Sequence, residues 1–262
     1  MARAKRKQTF RRRKVHSQRR RVAAYLIEIA VCLIVVMGVG LAFYRFVRES
    51  EHFLVRTLRI EGMQQLDEER VRAVAGVTSS DNLFTLDIAA VRARVEAIPL
   101  VKRCEVIRVF PDVVRIRFTE RTPVATVLIN SRLFEVDGEG VIVREVDTLA
   151  PHEGPFITNV PGLAYAELGD QLEHAALREA LRVYEAFRGI SVAQEVTVSE
   201  IAAMSRDEIR MFCDNLGFEI RWGRTNPMRQ AQNLDVFWRA KAGQIECNQY
   251  VDLRFDNEVV CR

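Results

Sequence analysis

The first 46 residues set the limits on what this chain can be. Eleven Lys or Arg and no acid fill the first 21 positions, then run directly into Ala23–Tyr44, an apolar stretch interrupted only by Glu28. As a helix rising about 1.5 Å per residue, this stretch reaches about 33 Å, enough to cross a hydrocarbon core about 30 Å thick. The Leu, Ile and Val side chains between Leu26 and Leu41 each favour insertion by about 0.3–0.6 kcal/mol, which outweighs one carboxylate near the helix start. Glu28 lies little more than a turn inside that start, where it can snorkel or protonate. A cleaved secretory leader is the rival reading, and it fails on two counts. The basic region is too long, and the small-x-small site at Gly38–Gly40 falls inside the apolar run. The positive excess places the N-terminal side in the cytoplasm and everything after the span outside. The expectation is a single-pass type II protein: a basic tail over 1–22, a transmembrane helix over 23–46 and an external body.

Charge separates the two sides. The chain holds 39 basic and 35 acidic residues; without the 11 basic residues of the tail the balance is 28 against 35, a net of −7. The body is therefore mildly acidic. The tail itself reads as a topology signal and a contact for anionic lipid head groups. Only Phe10 interleaves its arginines, so a stacking platform for nucleic acid has no support.

Residues able to carry chemistry are sparse. Three of the four histidines, His52, His152 and His174, lie in the external body, none with a second ligand or nucleophile at helical spacing. Neither Gly-x-Ser-x-Gly nor His-Glu-x-x-His occurs, and there is no P-loop and no Gly-x-Gly-x-x-Gly. The carboxylates Asp67, Glu68 and Glu69 open a helix, where they complement its dipole. Without a CxxC pair, Cys104, Cys213, Cys247 and Cys261 read as unpaired small hydrophobes. The chain is expected to be no enzyme and to hold no metal or cofactor.

The body parses into alternating elements. A strand over Phe53–Glu61 closes at Gly62; Asp67 caps a short helix with Val71, Val74 and Ala75, ended by Gly76. Asp87 caps a second helix bearing Val91, Val95 and Ile98, and Pro99 stops it. Strands Arg103–Val109 and Val113–Thr119 follow, with Cys104, Val106, Val114, Ile116 and Phe118 facing inward. The order is β-α-α-β-β, over 53–122. Residues 123–262 read as a mixed sheet with two helices. Strands are expected at Val124–Ile129, Arg132–Val136, Val141–Glu145, around Phe156–Asn159, and at Glu195–Ser199, Ile209–Cys213 and Gly217–Trp222. Helices are expected over Leu172–Arg188, where apolar residues recur at helical spacing, and from Pro227 through Trp238. Two strands end the chain, Tyr250–Phe255 and Glu258–Arg262, turning at Asp256-Asn257. The fold class is α+β.

A non-enzymatic external sheet can offer an edge. The terminal strand Glu258, Val259, Val260, Cys261 and Arg262 has no following sequence to cover its free side, and no Lys or Pro protects it. Alternation in the preceding strand sends Val251, Leu253 and Phe255 inward and Tyr250, Asp252 and Arg254 outward. These outward and terminal residues are the candidate partner-binding set, with Tyr250 as the anchor.

Several phrases resemble a known family. They are Asn82-Leu83-Phe84, Ile98-Pro99-Leu100-Val101, Arg108-Val109-Phe110-Pro111-Asp112 and Glu120-Arg121-Thr122-Pro123-Val124-Ala125. Glu135-Val136-Asp137-Gly138-Glu139-Gly140 and Tyr250-Val251-Asp252-Leu253-Arg254-Phe255 complete the set. In this order, behind a type II anchor, they are similar to the bacterial cell-division family FtsQ/DivIB. The resemblance implies a POTRA domain followed by a C-terminal β domain, and a divisome scaffold at the division septum, on the outer face of the cytoplasmic membrane. It implies FtsB-like and FtsL-like bitopic partners, with the C-terminal sheet carrying the main contact and septal wall synthesis as the process served. The competitors are a POTRA-bearing envelope protein with another assembly role and a wall-active envelope enzyme.

Overall fold

The computed structural model describes residues 3–147, 152–223, 226–241, 247–255 and 258–262, with side chains from residue 25 onward. Helix α1, Arg3–Glu49, runs through the basic tail and the apolar run without a break. Its Tyr25–Glu49 segment is long and apolar enough to cross a membrane. Two compact units follow from the contacts: Met1–Arg59 with Val77–Asp87 and Ile107–Arg115, and Ile60–Gly76 with Ile88–Val106 and Ile116–Arg262.

The β-α-α-β-β order is present. Strands β1 (Thr57–Glu61), β2 (Val101–Val109) and β3 (Val113–Glu120) form a three-stranded sheet in the order β1-β3-β2, with helices α2 (Glu68–Ala75) and α3 (Ile88–Glu96) between β1 and β2. The first strand is shorter than expected. Ser50 caps a 3-10 turn over Glu51–Phe53, accepting from the His52 N–H, so extended pairing waits until Thr57. The inward parity holds: Cys104, Val106, Val114, Ile116 and Phe118 are all buried, as are Val71, Ala75, Val91 and Val95 on the helices. Gly62 closes β1 because nothing larger fits; a Cβ there would stand 1.8 Å from the Phe118 carbonyl oxygen.

The remaining strands form one nine-stranded mixed sheet. They are β4 (Pro123–Ile129), β5 (Arg132–Asp137), β6 (Ile142–Val146), β7 (Phe156–Thr158), β8 (Val198–Ser205), β9 (Glu208–Cys213), β10 (Glu219–Trp222), β11 (Tyr250–Asp252) and β12 (Val260–Cys261). Their order is β12-β11-β10-β9-β8-β7-β4-β5-β6. Helices α4 (Ala175–Arg188) and α5 (Pro227–Ala240) bury Leu177, Ala180, Phe187, Ala231, Leu234 and Trp238 in a core shared with one face of the sheet. α5 also explains a direction. β11 runs parallel to β10, and a parallel neighbour requires a crossover such as the helix that joins them. Asn226 starts that helix, its side chain accepting from the Met228 N–H at 2.9 Å, with Pro227 in the first turn.

Several boundaries shift by a residue or two, and in the larger sheet and its helices three departures from the sequence expectation have a visible cause. α4 starts at Ala175 rather than Leu172, because the Leu172 N–H is drawn to the Gly140 carbonyl at 2.9 Å. Where Glu195–Ser199 was expected, a 3-10 turn (Ser191–Gln194) comes first and the strand spans Val198–Ser205. Ala202 and Ala203 carry too little strand propensity to announce it, and pairing with β7 and β9 overrides them. The last two strands are shorter than expected, and the Asp256-Asn257 turn lies outside the described residues. After Leu253, whose N–H still donates to the Arg221 carbonyl, the Arg254 N–H turns onto the Asp252 side chain at 3.0 Å. That local bond ends the ladder, and Phe255, expected inward, is instead 46% exposed.

Candidate partner-binding edge

β12 lies at one end of the nine-stranded sheet, and among the described residues no strand pairs with its outer side. Its inner side is fully used. Arg262 and Tyr250 exchange both backbone hydrogen bonds, N–H of each to carbonyl of the other, at 3.0 and 3.2 Å. Asn248 and Gln249 also donate to the Arg262 carbonyl. In an antiparallel ladder such exchanged pairs recur every second residue, so Val260 opposite Asp252 is the next one. The backbone groups of Cys261 and Val259 therefore point away from β11. These are the free template, and a proline meant to remove an outward donor belongs at Val259, because Val260 spends its N–H on β11.

Side chains follow the same alternation. Val259 packs on the core and Cys261 joins Cys247 in a disulfide, on the helix-covered face. The reading of these two cysteines as unpaired is corrected: 14 residues separate them in sequence, and the β11–β12 pairing brings them together. Cys104 and Cys213 do remain free and buried. Burial, with the Glu96 charge added, pushes the Cys104 thiol up to about 11; burial, with Asp214, pushes Cys213 up to about 12. Both are inert as nucleophiles at neutral pH.

On the opposite, helix-free face stand Tyr250, Asp252, Val260, Arg254 and Arg262. Tyr250 is half-buried under the Arg221 guanidinium, 3.8 Å from the ring centroid, a contact worth about 0.5–2 kcal/mol. Asp252 was expected to face solvent. It keeps the predicted face but is only 4% exposed, because Arg254 folds over it with bonds of 2.9 and 2.6 Å. Burial opposes its ionisation. The Arg254 hydrogen bonds and the charges of Arg254 and Arg221 outweigh that and hold the carboxyl below its ordinary range. Val260 and Arg262 are exposed, and Glu258 is exposed and precedes the strand.

Sequence reasoning missed the floor of this face. Register aligns Arg210 on β9, Arg221 on β10 and Asp252 on β11. Glu219 pairs with Arg221 at 2.5 Å and reaches Arg210 at 3.9 Å, while Glu208 holds Arg210 at 2.7 Å. A recess opens among Glu208, Arg210, Arg221 and Arg254. The signal was present in Glu208-Ile209-Arg210 and Glu219-Ile220-Arg221, where charges occupy one parity and apolar residues the other. The arrangement is a charged surface around a half-buried tyrosine, next to a strand whose outer side pairs with no described strand.

Comparison with known proteins finds two matched segments of the chain. Residues 53–121 match the family described as POTRA domain, FtsQ-type, and residues 125–254 match Cell division protein FtsQ/DivIB, C-terminal. The chain is 31% identical over 203 residues to Cell division protein FtsQ of Streptomyces griseus, covering 75% of this chain and 94% of that one. With the protein of the same name from Streptomyces coelicolor it shares 30% over 220 residues, covering 82% and 80%. With that of Syntrophotalea carbinolica it shares 22% over 213 residues, covering 81% and 75%. β12 lies beyond both matched segments, so what it can do rests on its geometry.

Proposed function

Because the chain belongs to the FtsQ/DivIB family of cell-division proteins, we propose that it is a non-enzymatic divisome scaffold whose open β12 edge takes up a strand from a partner. The scaffold is held in the cytoplasmic membrane by α1, with its basic end inside and its body outside, at the septum. Its partners are small bitopic proteins of the FtsB and FtsL type, and the process it serves is septal cell-wall synthesis. The observation that carries this reading is the unpaired outer side of β12 beside Tyr250 and the Asp252–Arg254 pair. An incoming extended segment gains backbone hydrogen bonds at Val259 and Cys261, each worth about 0.5–1.5 kcal/mol net. Specificity then comes from the helix-free face, where Tyr250 supplies a rigid aromatic surface.

The test is photocrosslinking in dividing cells, with the reactive group at Val260 in one strain and at Glu145, on the other edge strand, in a second. Covalent capture of a small bitopic division protein from Val260 and not from Glu145 is the expected result. Capture of it from Glu145 alone, or from neither position, would overturn the assignment. A reporter active only outside the cytoplasm, fused after Arg262, checks the orientation and should be active.

A further inference from the structure

Two of the phrases singled out in the sequence, Asn82-Leu83-Phe84 and Arg108-Val109-Phe110-Pro111-Asp112, meet in the unit that contains the end of α1. There Phe53 and Phe84 stand edge to face with centroids 4.8 Å apart, and Phe84 and Phe110 lie at 5.1 Å. These rings are not core. Phe84 is 44% exposed and Phe110 58%, while the neighbouring Leu83 is fully buried.

The cluster is held rigidly in its exposed position. The Phe84 N–H donates to the Asn82 side-chain carbonyl at 2.9 Å, and the Leu83 N–H to the Phe53 carbonyl at 2.7 Å. The Arg108 guanidinium braces the same loop, donating to the Leu83 and Leu86 carbonyls at 2.6 and 2.7 Å. The loop is also tied to the membrane helix. The Asn82 side-chain amide donates to the carbonyls of Val47 and Arg48, both at 3.1 Å, which are carbonyls the helix end leaves without intrahelical partners.

Those bonds fix the height of the rings. The apolar run ends at Tyr44 and α1 at Glu49, so the helix end stands about 7 Å past the hydrocarbon at about 1.5 Å per residue. A headgroup layer adds about 5–7 Å on each side of the hydrocarbon. Phe53, Phe84 and Phe110 thus sit beside the helix end at headgroup level. Exposed Arg45, Arg48 and Arg56 share this unit; the Arg56 side chain is 66% exposed, its guanidinium 3.9 Å from the Asp112 carboxylate. Aromatic rings flanked by arginines at that depth have the chemistry of an interfacial membrane contact.

We infer that Phe84 and Phe110 dock on the outer face of the membrane that α1 crosses, their rings entering the headgroup and upper acyl layer of an anionic bilayer. The contact would make the unit and the helix one body on the bilayer surface. The inference rests on the reading of α1 as a membrane span.

The test places the full chain in nanodiscs of phosphatidylcholine and phosphatidylglycerol, either unmodified or brominated high on the acyl chains. Phe84→Trp and, separately, Phe110→Trp report ring depth after subtraction of wild-type emission from Trp222 and Trp238. Val36→Trp, within the span, is the reference. The added emission at positions 84 and 110 should fall severalfold in brominated discs. Emission at both positions unaffected by bromine, while Val36→Trp is quenched, would overturn the docking and leave the span intact; a protein partner covering the cluster gives this result. An unquenched Val36→Trp would overturn the span and the docking together.

Discussion

The nine-stranded sheet finishes its two edges differently. At β6 the backbone is covered. Ile142 donates to the Asp170 carbonyl and accepts from the Gly169 N–H, both at 2.9 Å, and Leu172 donates to Gly140. What remains of β6 is charged: Arg144 pairs with the fully buried Glu135 at 2.6 Å, and Glu145 with Arg132 at 2.5 Å. Cover and charge are the usual defences of an edge against unwanted pairing. At β12 no described strand covers the outer side, and the exposed charges, Glu258 and Arg262, stand at its two ends. The outward backbone groups of Val259 and Cys261 lie open beside exposed Val260, while the inner side is fixed by the ladder to β11 and the Cys247–Cys261 bond. One sheet therefore contains both solutions. Under the function proposed above, the β12 edge is the one that receives a strand.

The largest effects should strike both edges equally. Arg254→Ala leaves Asp252 buried without its partner, and Arg144→Ala does the same to Glu135. Each should cost about 3 kcal/mol in chemical denaturation, yet only the first should also weaken partner binding. Equal binding losses would break the comparison. Replacing Cys247 and Cys261 with Ser opens a closed loop spanning a 14-residue separation, for a loss of about 3 kcal/mol on the loop-entropy scale. Melting with and without reductant measures it, and β6 has no counterpart. Tyr250→Ala should weaken the partner by about 2 kcal/mol, roughly thirtyfold, with little change in melting temperature. A loss of that size in melting without one in binding would make the ring a structural fixture.

The smallest effect is on pH. The Asp252 carboxyl is held below its ordinary range, so the folded state binds fewer protons there than the unfolded chain. Its contribution is present above the ordinary carboxylate range near pH 4, and is lost as pH falls through the depressed folded value. Asp252→Asn should flatten that acid limb of the stability curve and leave its neutral plateau otherwise parallel.

Much of this was legible in residues. Periodicity located the β-α-α-β-β order and helices α4 and α5, because each buries one face and writes that face at a regular spacing, while an unbroken apolar run located the span in α1. Glu120-Arg121 shows how a recognisable phrase acquires a physical meaning. The Glu120 carboxylate accepts the N–H groups of Gln64, Gln65 and Leu66 at 2.8–3.0 Å, and Arg121 holds Asp137 at 2.5 Å. Neither contact has a local signature, since 54 to 56 residues separate the first set. At the edge, alternation chose the correct face for Tyr250, Asp252 and Arg254. It missed the burial of Asp252 and the turning out of Phe255, because both come from the Arg254 bonds to Asp252. The cysteine pair was hidden for a related reason: strand register, which no spacing encodes, brings Cys261 to Cys247.

The most direct measurement is residue-resolved amide hydrogen exchange across β12 in the full chain, with and without an FtsB-type partner. A strand added to the outer side should slow exchange at Val259 and Cys261, whose N–H groups point outward. Val260 and Arg262, already bonded to β11, should change little, and Glu145 on β6 should not change at all. Protection that alternates in this way is the expected result. Partner binding with no added protection at Val259 and Cys261 would contradict the account of the open edge.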